Sequence, residues 1–181
     1  MLPGISTEQL RSRLNRMVAD GLLTRQRYRE VPPRVDYELT ERSRELMPVV
    51  GALARWGYDW AWSAPRPGED VNLGAVFRLA PGLIDTPAGV EGTVELVVEA
   101  GGEETAERRY RLTASEGRVE ISERDTSDGA AAVVTGPRSA WIRALGPGGS
   151  PDELEIRGNR HLADALLSGF LAATGRRAAA A

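Results

Sequence analysis

Apolar side chains recur at helical spacing near the start of this 181-residue chain and predict its first element. They form one stripe, made of Leu10, Leu14, Met17 and Val18. Ser6 with Gln9 three positions later is typical of a capping box, in which each side chain accepts a hydrogen bond from the other's backbone N–H. We therefore predict a helix over residues 7–20, ended by Gly21, which tolerates the left-handed conformation of a helix stop.

Residues 22–29 alternate in character and predict the first strand of a β-hairpin. Arg25, Arg27 and Arg29 fall on one face of that strand. Two prolines within residues 31–34 cannot continue a ladder and mark the tip, and residues 35–39 return as the second strand. The arginine face suits contacts with phosphates, although a solvated face on an ordinary helix and hairpin explains the same pattern.

A second apolar stripe at helical spacing predicts a connecting helix over residues 41–64, capped by Thr40 and kinked at Pro48. Its members are Leu46, Val49, Val50, Leu53, Trp56 and Trp60, and Trp62 lies close by. Large aromatic residues are enriched at interfaces, so Leu53 and the three tryptophans predict a dimer or interdomain contact. The alternative is an aromatic wall of a ligand pocket. Residues 63–68 break the periodicity and are interpreted as a linker.

The pattern over residues 69–175 predicts an α+β domain in which helices cover a mainly antiparallel, five-stranded sheet. We expect strands near residues 90–98, 108–113, 118–123, 130–135 and 153–157, and helices near 71–80, 137–145 and from Asn159 onward. Alternation in the first of these strands predicts one apolar face and one acidic, solvated face. Residues 176–181 are expected to form a disordered tail.

Charge is distributed unevenly along the chain. Residues 1–34 hold seven arginines against three acidic residues, whereas residues 61–181 hold 13 arginines against 18 acidic residues. All 23 basic residues are arginine, which we attribute to base composition of the genome. A basic leading segment in an acidic chain indicates a nucleic-acid surface confined to one end.

Catalytic and metal chemistry find little basis in the sequence. The absence of cysteine excludes disulfides, thiolate metal sites and cysteine nucleophiles, and His161 has no second histidine to share a metal. His161 is better explained as a solvated residue than as a general base, and residues 125–128 as a turn rather than a cation site. Phosphate-binding glycine loops and nucleophile elbows are also absent, so we predict neither an enzyme nor a cofactor. No spanning segment or signal peptide is evident, which favours a cytoplasmic protein without a membrane partner.

The first sixty residues resemble HxlR-type winged helix-turn-helix transcription regulators. The residues that carry the resemblance are Leu2-Pro3-Gly4-Ile5-Ser6, Gly21-Leu22-Leu23, Val31-Pro32-Pro33-Arg34-Val35, Tyr37, Leu46-Met47-Pro48-Val49 and Trp56-Gly57. The resemblance implies a recognition helix followed by a wing, both on double-stranded DNA. The residues expected to contact DNA are Ser6, Thr7, Gln9, Arg11, Ser12, Asn15, Arg16, Arg27, Arg29 and Arg34.

Glu8 departs from the family pattern, in which basic or neutral residues are frequent at this position. Its carboxylate would repel phosphate or select a particular base edge. Family members also carry supporting helices before the recognition helix. We therefore expect either that Met1 is internal to a longer gene product or that the chain descends from one that has lost those helices.

The progression from the strand at Val119 through the helix at Pro137 to Leu154-Glu155-Ile156-Arg157-Gly158-Asn159 is similar to a sterol carrier protein type two domain. In that family, helices and sheet enclose a tunnel for lipid-like ligands. The residues expected to line such a tunnel are Val94, Leu96, Tyr110, Val119, Trp141, Leu145, Leu166 and Phe170. The alternative is that these side chains simply fill a core.

The resulting hypothesis is a homodimeric, DNA-binding regulator with a C-terminal domain able to hold an apolar effector. A ligand carrier or interaction module that has lost DNA binding is the alternative. An enzyme ranks third.

Overall fold

The computed structural model describes residues 5–29, 34–61, 63, 65–66, 69–85, 89–101, 106–124, 129–146 and 149–172. The chain divides into two compact units, residues 1–47 and residues 48–181. We call these the N-terminal and C-terminal units. The predicted boundary lay in the linker at 63–68, so the two divisions differ in which unit holds the connecting helix.

The N-terminal unit is a helix followed by a hairpin and one helical turn. Helix α1 spans Thr7–Ala19, strands β1 (Leu23–Tyr28) and β2 (Arg34–Leu39) pair antiparallel, and α2 spans Glu41–Arg44. Gly21 has a positive φ of 69° and ends α1 as predicted. The predicted wing tip at Val31, Pro32 and Pro33 lies outside the described residues.

The C-terminal unit is built on a five-stranded sheet. Its strands are β3 (Gly92–Glu99), β4 (Arg108–Ser115), β5 (Arg118–Arg124), β6 (Ala132–Pro137) and β7 (Glu155–Gly158). The order across the sheet is β5-β4-β3-β6-β7, and every pairing is antiparallel except β3 with β6. The parallel pair arises because β5 hydrogen-bonds to the outer side of β4, so that the chain must cross over to reach the other side of β3.

In the described part of the unit, five α-helices accompany this sheet: α3 (Met47–Ala61), α4 (Leu73–Phe77), α5 (Ala80–Leu83), α6 (Arg138–Ala144) and α7 (Arg160–Ala172). Trp141 of α6 is completely buried and donates its indole N–H to the carbonyl of Val97, 2.9 Å away. The ring of Phe77 packs edge-on against the rings of Tyr110 and Trp141, with centroids 5.0 Å apart in each case. Aromatic side chains from α4, β4 and α6 therefore join helices and sheet in one core. The predicted α+β fold with a mainly antiparallel sheet is confirmed.

The connecting segment differs from the single kinked helix that we expected. It forms two helices, α2 and α3, separated at residues 45–46, and Pro48 lies in the first turn of α3. A proline in the first turn loses no helical hydrogen bond, so Pro48 helps to start a helix here and does not kink one. Pro81 does the same at the start of α5, where a helix end was expected.

The sheet face that was predicted to be acidic and solvated is buried around the central strand, β3. Val94 to Val98 are all buried, although Glu95 and Val97 fall on the face expected to be acidic and solvated. Glu95 is only 4% exposed, and its Oε1 lies 2.9 Å from Nη1 of Arg109. The alternation correctly assigned the two faces, but it could not show that an arginine on β4 covers the carboxylate.

Candidate functional site

Helix α1 presents the residues expected to contact DNA. All ten of those residues are exposed, on α1, its N-cap and the hairpin. Ser6 and Gln9 form the predicted capping box, each side chain accepting the other's backbone N–H at 3.2 Å. Capping fixes the start of α1 and uses one acceptor of each of these two side chains. Farther along the helix, Ser12, Asn15 and Arg16 are exposed and polar.

A hydrogen-bond hub at Leu22 fixes the hairpin relative to α1. The Leu22 N–H donates to the carbonyl of Met17 at 2.9 Å. Its carbonyl accepts from the backbone N–H of Thr40 at 3.2 Å and from the hydroxyl of Ser43 at 2.6 Å. The end of α1, both hairpin ends and the start of α2 therefore meet at one residue, which holds helix and hairpin as one rigid element.

Cross-strand contacts order the arginines of the hairpin. Arg25 lies over the ring of Tyr37, 5.9 Å from its centroid, and Arg34 lies over Tyr28 at 5.7 Å. Arg34 also pairs with Asp36 at 2.9 Å. In the described part of the hairpin, Arg27 and Arg29 form no ion pair and are exposed. No internal ion pair would have to be broken before either side chain could meet an anion.

Two arginines of α1 have acidic neighbours. Arg11 lies 3.9 Å from Glu8, and Arg16 lies 3.8 Å from Asp20, with all four side chains largely exposed. Exposed pairs of this kind contribute little to stability and are screened by salt. Glu8 thus reduces the positive potential at the N-terminal end of α1 without locking Arg11 in place.

Helix α3 has an inner face that packs against other helices and an outer face that is exposed. Its inner face packs against α5 so closely that a Cβ built on Gly51 would overlap the carbonyl group of Gly82. Arg55 Nη1 donates to the carbonyl oxygens of Gly82 and Leu83 at 3.2 and 3.3 Å, and the hydroxyl of Tyr58 donates to the carbonyl of Leu145. These contacts attach α3 to the helices of the C-terminal unit.

The outer face of α3 carries an exposed apolar stripe, which we call the α3 stripe. It consists of Val49, Leu53, Trp56 and Trp60, which are 65%, 66%, 58% and 62% exposed. Leu53, Trp56 and Trp60 belong to the predicted interface, and Trp62 lies outside the described residues. Contiguous apolar patches of this kind mark sites of interaction.

A cavity of about 340 Å³ lies between the inner face of α3 and helices α4, α5 and α6. Its wall is apolar except for the side chains of Arg55 and Tyr58. The full lining is Ala54, Arg55, Gly57, Tyr58, Pro65, Val71, Leu73, Val76, Leu79, Leu83, Ile142, Leu145 and Gly146. This volume is at the lower end of the roughly 300–1,000 Å³ that is usual for small-molecule sites.

Leu145 is the member of the predicted tunnel lining that the structure places at this cavity. The other seven side chains are at most 7% exposed and belong to the packed core between helices and sheet, the alternative given for them. They are Val94, Leu96, Tyr110, Val119, Trp141, Leu166 and Phe170. The sequence reasoning missed Arg55 and Tyr58, whose helical spacing with Gly51 and Ala54 could have identified an inner face on α3.

Other candidate chemistry is sparse. His161 is exposed in the first turn of α7, and residues 125–128 lie outside the described residues. Within the described ranges, no group of three or more histidine, aspartate and glutamate side chains is placed to hold a metal ion. None of the helices traced in those ranges has the length and apolar content that crossing a bilayer requires.

The family comparison decides the nature of the N-terminal part. The model for the HxlR-like helix-turn-helix matches residues 1–64. These residues are an HxlR-like helix-turn-helix domain. An uncharacterized HTH-type transcriptional regulator of Synechocystis sp. is 48% identical over 59 residues, which are 33% of this chain and 44% of that protein. The chain spans about half the length of the curated relatives that it matches. The predicted HxlR-type resemblance is confirmed.

Solved structures resemble the two parts separately. The redox regulator HypR in its oxidized form is 39% identical, covering 33% of this chain and 61% of HypR, with a TM-score of 0.31. A conserved hypothetical protein from Thermus thermophilus, described as possibly sterol carrier protein, is 14% identical with a TM-score of 0.45. That match covers 63% of this chain and 96% of the Thermus protein.

Proposed function

We propose that this chain is a DNA-binding transcription regulator that contacts DNA through its HxlR-like domain. The observation that carries the proposal is the rigid joining of α1 and the hairpin at Leu22, with exposed arginines on both elements. Helix α1 enters the major groove, where Ser12, Asn15 and Arg16 face base edges. Arg27 and Arg29 contact the adjacent phosphates and set the orientation of the helix.

We further propose that the regulator is a homodimer paired through the α3 stripe. The separations between Val49, Leu53, Trp56 and Trp60 alternate between four and three residues, the spacing at which one helix packs along another. The stripe faces away from the side of α3 that is attached to α5, so a second copy can cover it without displacing the first contact. A two-fold dimer would also place two recognition helices on two half-sites.

The C-terminal unit acts in this proposal as the sensor of an apolar effector and not as an enzyme. The cavity beside α3 supports this role, because it is apolar and is bordered by the helix that carries the stripe. An effector changes DNA affinity only if it binds one dimer geometry better than another. A carrier that no longer binds DNA is the second candidate, favoured by the same cavity.

Fluorescence anisotropy with labelled DNA from upstream of the gene tests the proposal. We expect the full chain to bind this DNA with an affinity that falls steeply as salt rises, and to bind unrelated DNA more weakly. Equal, weak binding to both DNAs at low salt would contradict a regulator. Lipid-like material extracted from the same non-binding preparation by organic solvent would support the carrier.

The dimer has a separate test with a matched pair of variants. Val49→Glu places a carboxylate on the α3 stripe, whereas Val35→Glu makes the same change at an exposed valine on β2. Light scattering should give a monomer for Val49→Glu and a dimer for Val35→Glu and the unmodified chain. A dimer that survives Val49→Glu and Leu53→Glu alike would exclude this face as the interface.

A further inference from the structure

The cavity beside α3 has one charged group in an otherwise apolar wall. Leu73, Val76, Leu79 and Ile142 provide much of the apolar surface, and Arg55 enters from α3. An apolar site with a single charged group is selective for a ligand that is mostly apolar and carries one charge of the opposite sign. The identity of the charged group therefore decides the chemical class of the ligand.

Arg55 differs from most arginines of the C-terminal unit in the charge of its partners. Its Nη1 donates to the neutral carbonyl oxygens of Gly82 and Leu83, and no carboxylate among the described residues lies within ion-pair distance of it. Among the described residues of the unit, seven other arginines each pair with a carboxylate, namely Arg78, Arg108, Arg109, Arg138, Arg143, Arg157 and Arg160. A guanidinium has five N–H donors, so Nε and Nη2 are available for an anionic ligand.

We propose that this cavity binds an apolar monocarboxylate, with its carboxylate on Arg55 and its hydrocarbon part against Leu73 and Val76. The proposal rests on the sensor role given above to the C-terminal unit and names its ligand class. One guanidinium balances one negative charge, which matches a carboxylate better than a phosphate dianion. The cavity volume of about 340 Å³ suits a ligand of about ten non-hydrogen atoms. This estimate gives each such atom the roughly 30 Å³ that one water molecule occupies in the liquid.

The site lies outside the interior between helices and sheet. There the largest side chains are completely or almost completely buried, including Tyr110, Trp141 and Leu166. These side chains belong to one cluster of buried residues that pack against each other. At the cavity, by contrast, α3 itself supplies Ala54, Arg55 and Tyr58. A bound ligand therefore contacts α3 directly and strengthens its attachment to α5 and α6, on the side opposite to the α3 stripe.

Calorimetric titration of the full chain with octanoate, octan-1-ol and octylammonium tests the assignment. These probes share one hydrocarbon chain and differ in the charge of the head group. We expect octanoate to bind at least about tenfold more tightly than octan-1-ol, and octylammonium to bind most weakly. Equal affinities for all three probes, or no binding of octanoate up to its solubility, would overturn the proposal.

Two pairs of variants locate the ligand. Arg55→Gln should abolish the preference for octanoate over octan-1-ol, whereas Arg118→Gln, at an exposed arginine of β5, should keep it. Val76→Phe fills the cavity and should weaken all binding at least tenfold, and Ala75→Phe, on the exposed side of the same helix, should not. Retained preference in Arg55→Gln would overturn the role of Arg55. If Arg55→Gln does not fold, undiminished octanoate binding by Val76→Phe would exclude the site.

DNA titration of the same samples separates this proposal from the proposed function. Octanoate binding that leaves DNA affinity unchanged would support the site and contradict its role as a sensor. DNA binding without any binding of octanoate would support the regulator and overturn the site.

Discussion

Gly51 of α3 and Gly82 of α5 bring two helix backbones into direct contact. A Cβ built on Gly51 would overlap the carbonyl carbon and oxygen of Gly82 and lie 2.9 Å from its Cα. The neighbouring atoms belong to backbone and cannot rotate away. The contact therefore requires glycine at position 51 and fixes the distance at which α3 passes over α5, which sets the width of the cavity beside it.

Gly51→Ala should destabilise the C-terminal unit by about 2–3 kcal/mol, because the added methyl group forces α3 away from α5. Gly57→Ala is the matched control on the same helix, since a Cβ there meets nothing within 4 Å. The control should stabilise the chain by up to about 1 kcal/mol through higher helix propensity. Urea unfolding followed by circular dichroism measures both changes. Equal stabilities of the two variants would contradict the close contact.

Glu95 and Arg109 form a pair on the face of the sheet that sequence alternation predicts to be solvated. Glu95 is 4% exposed, whereas the side chain of Arg109 is 25% exposed and also lies 2.5 Å from Glu107. The hydrogen bond to Glu95 is the main cause that raises the pKa of Arg109 above its ordinary value, against the lowering effect of burial. The guanidinium of Arg109 therefore stays charged over the physiological range.

Glu95→Ala should cost about 2 kcal/mol in free energy of unfolding. Loss of one partner from a fully buried pair costs roughly 3–5 kcal/mol, and the partial exposure of Arg109 reduces that figure. Glu99→Ala, at the exposed end of the same strand, should have little effect. Replacing both partners by leucine should recover part of the loss, since no buried charge is then left unpaired. A Glu95→Ala variant as stable as Glu99→Ala would show that the pair contributes nothing.

Glu123 joins two arginines that approach from different elements. Its carboxylate accepts hydrogen bonds from Arg108, at 2.7 and 3.1 Å, and from Arg78, which follows α4. Partial burial pushes the pKa of Glu123 upward, but hydrogen bonding and charge from Arg108, with the charge and hydrogen bond of Arg78, outweigh it. The pKa of Glu123 therefore lies below its ordinary value of 4.5.

A lowered pKa gives a definite pH dependence of stability. The folded state binds the proton of Glu123 more weakly than the unfolded state, so the stabilisation is complete above the unfolded value of 4.5 and is lost as the pH falls through the lower folded value. The difference in unfolding free energy between the unmodified chain and Glu123→Gln should be constant near neutral pH and shrink below 4.5. Glu120→Gln, at an exposed position on the same strand, is the matched control and should change the free energy of unfolding little near neutral pH. A difference that persists unchanged into acid would contradict the charge interaction.

Local signals explain why the sequence predicted most elements. The capping box at Ser6 and the left-handed stop at Gly21 lie within α1 itself or beside it, so the predicted end of the helix differs from the observed end by one residue. The effect of Pro48 on the helix could not be predicted in the same way, because proline is compatible both with a kink and with a helix start. The choice depends on where α2 ends, which the apolar stripe does not reveal.

The cavity required information that alternation does not contain. Alternation shows which side chains leave a strand on the same face, but not whether the space above them is filled. Tyr110 and Trp141 were predicted to border a tunnel, yet both pack against Phe77 and help to close that space. The observed cavity depends on how α3 returns onto α5, a long-range contact that becomes visible only when Gly51 and Gly82 are placed together.

In the proposed complex the wing contacts phosphates and helix α1 reads the bases, so substitutions in the two elements should have different effects. Arg27→Ala and Arg29→Ala each remove one phosphate contact from the proposed complex, so each should reduce the slope of log affinity against log salt by about 0.9 and weaken all DNA sequences alike. Asn15→Ala removes a group that faces base edges in the proposed complex, so it should lower the ratio of specific to unspecific affinity while leaving the slope unchanged. Arg118→Ala, in the C-terminal unit, serves as the control for loss of an exposed arginine. Anisotropy titrations over a series of salt concentrations separate these outcomes. Identical slopes for all four variants would mean that the hairpin does not contact phosphate, even if the chain binds DNA.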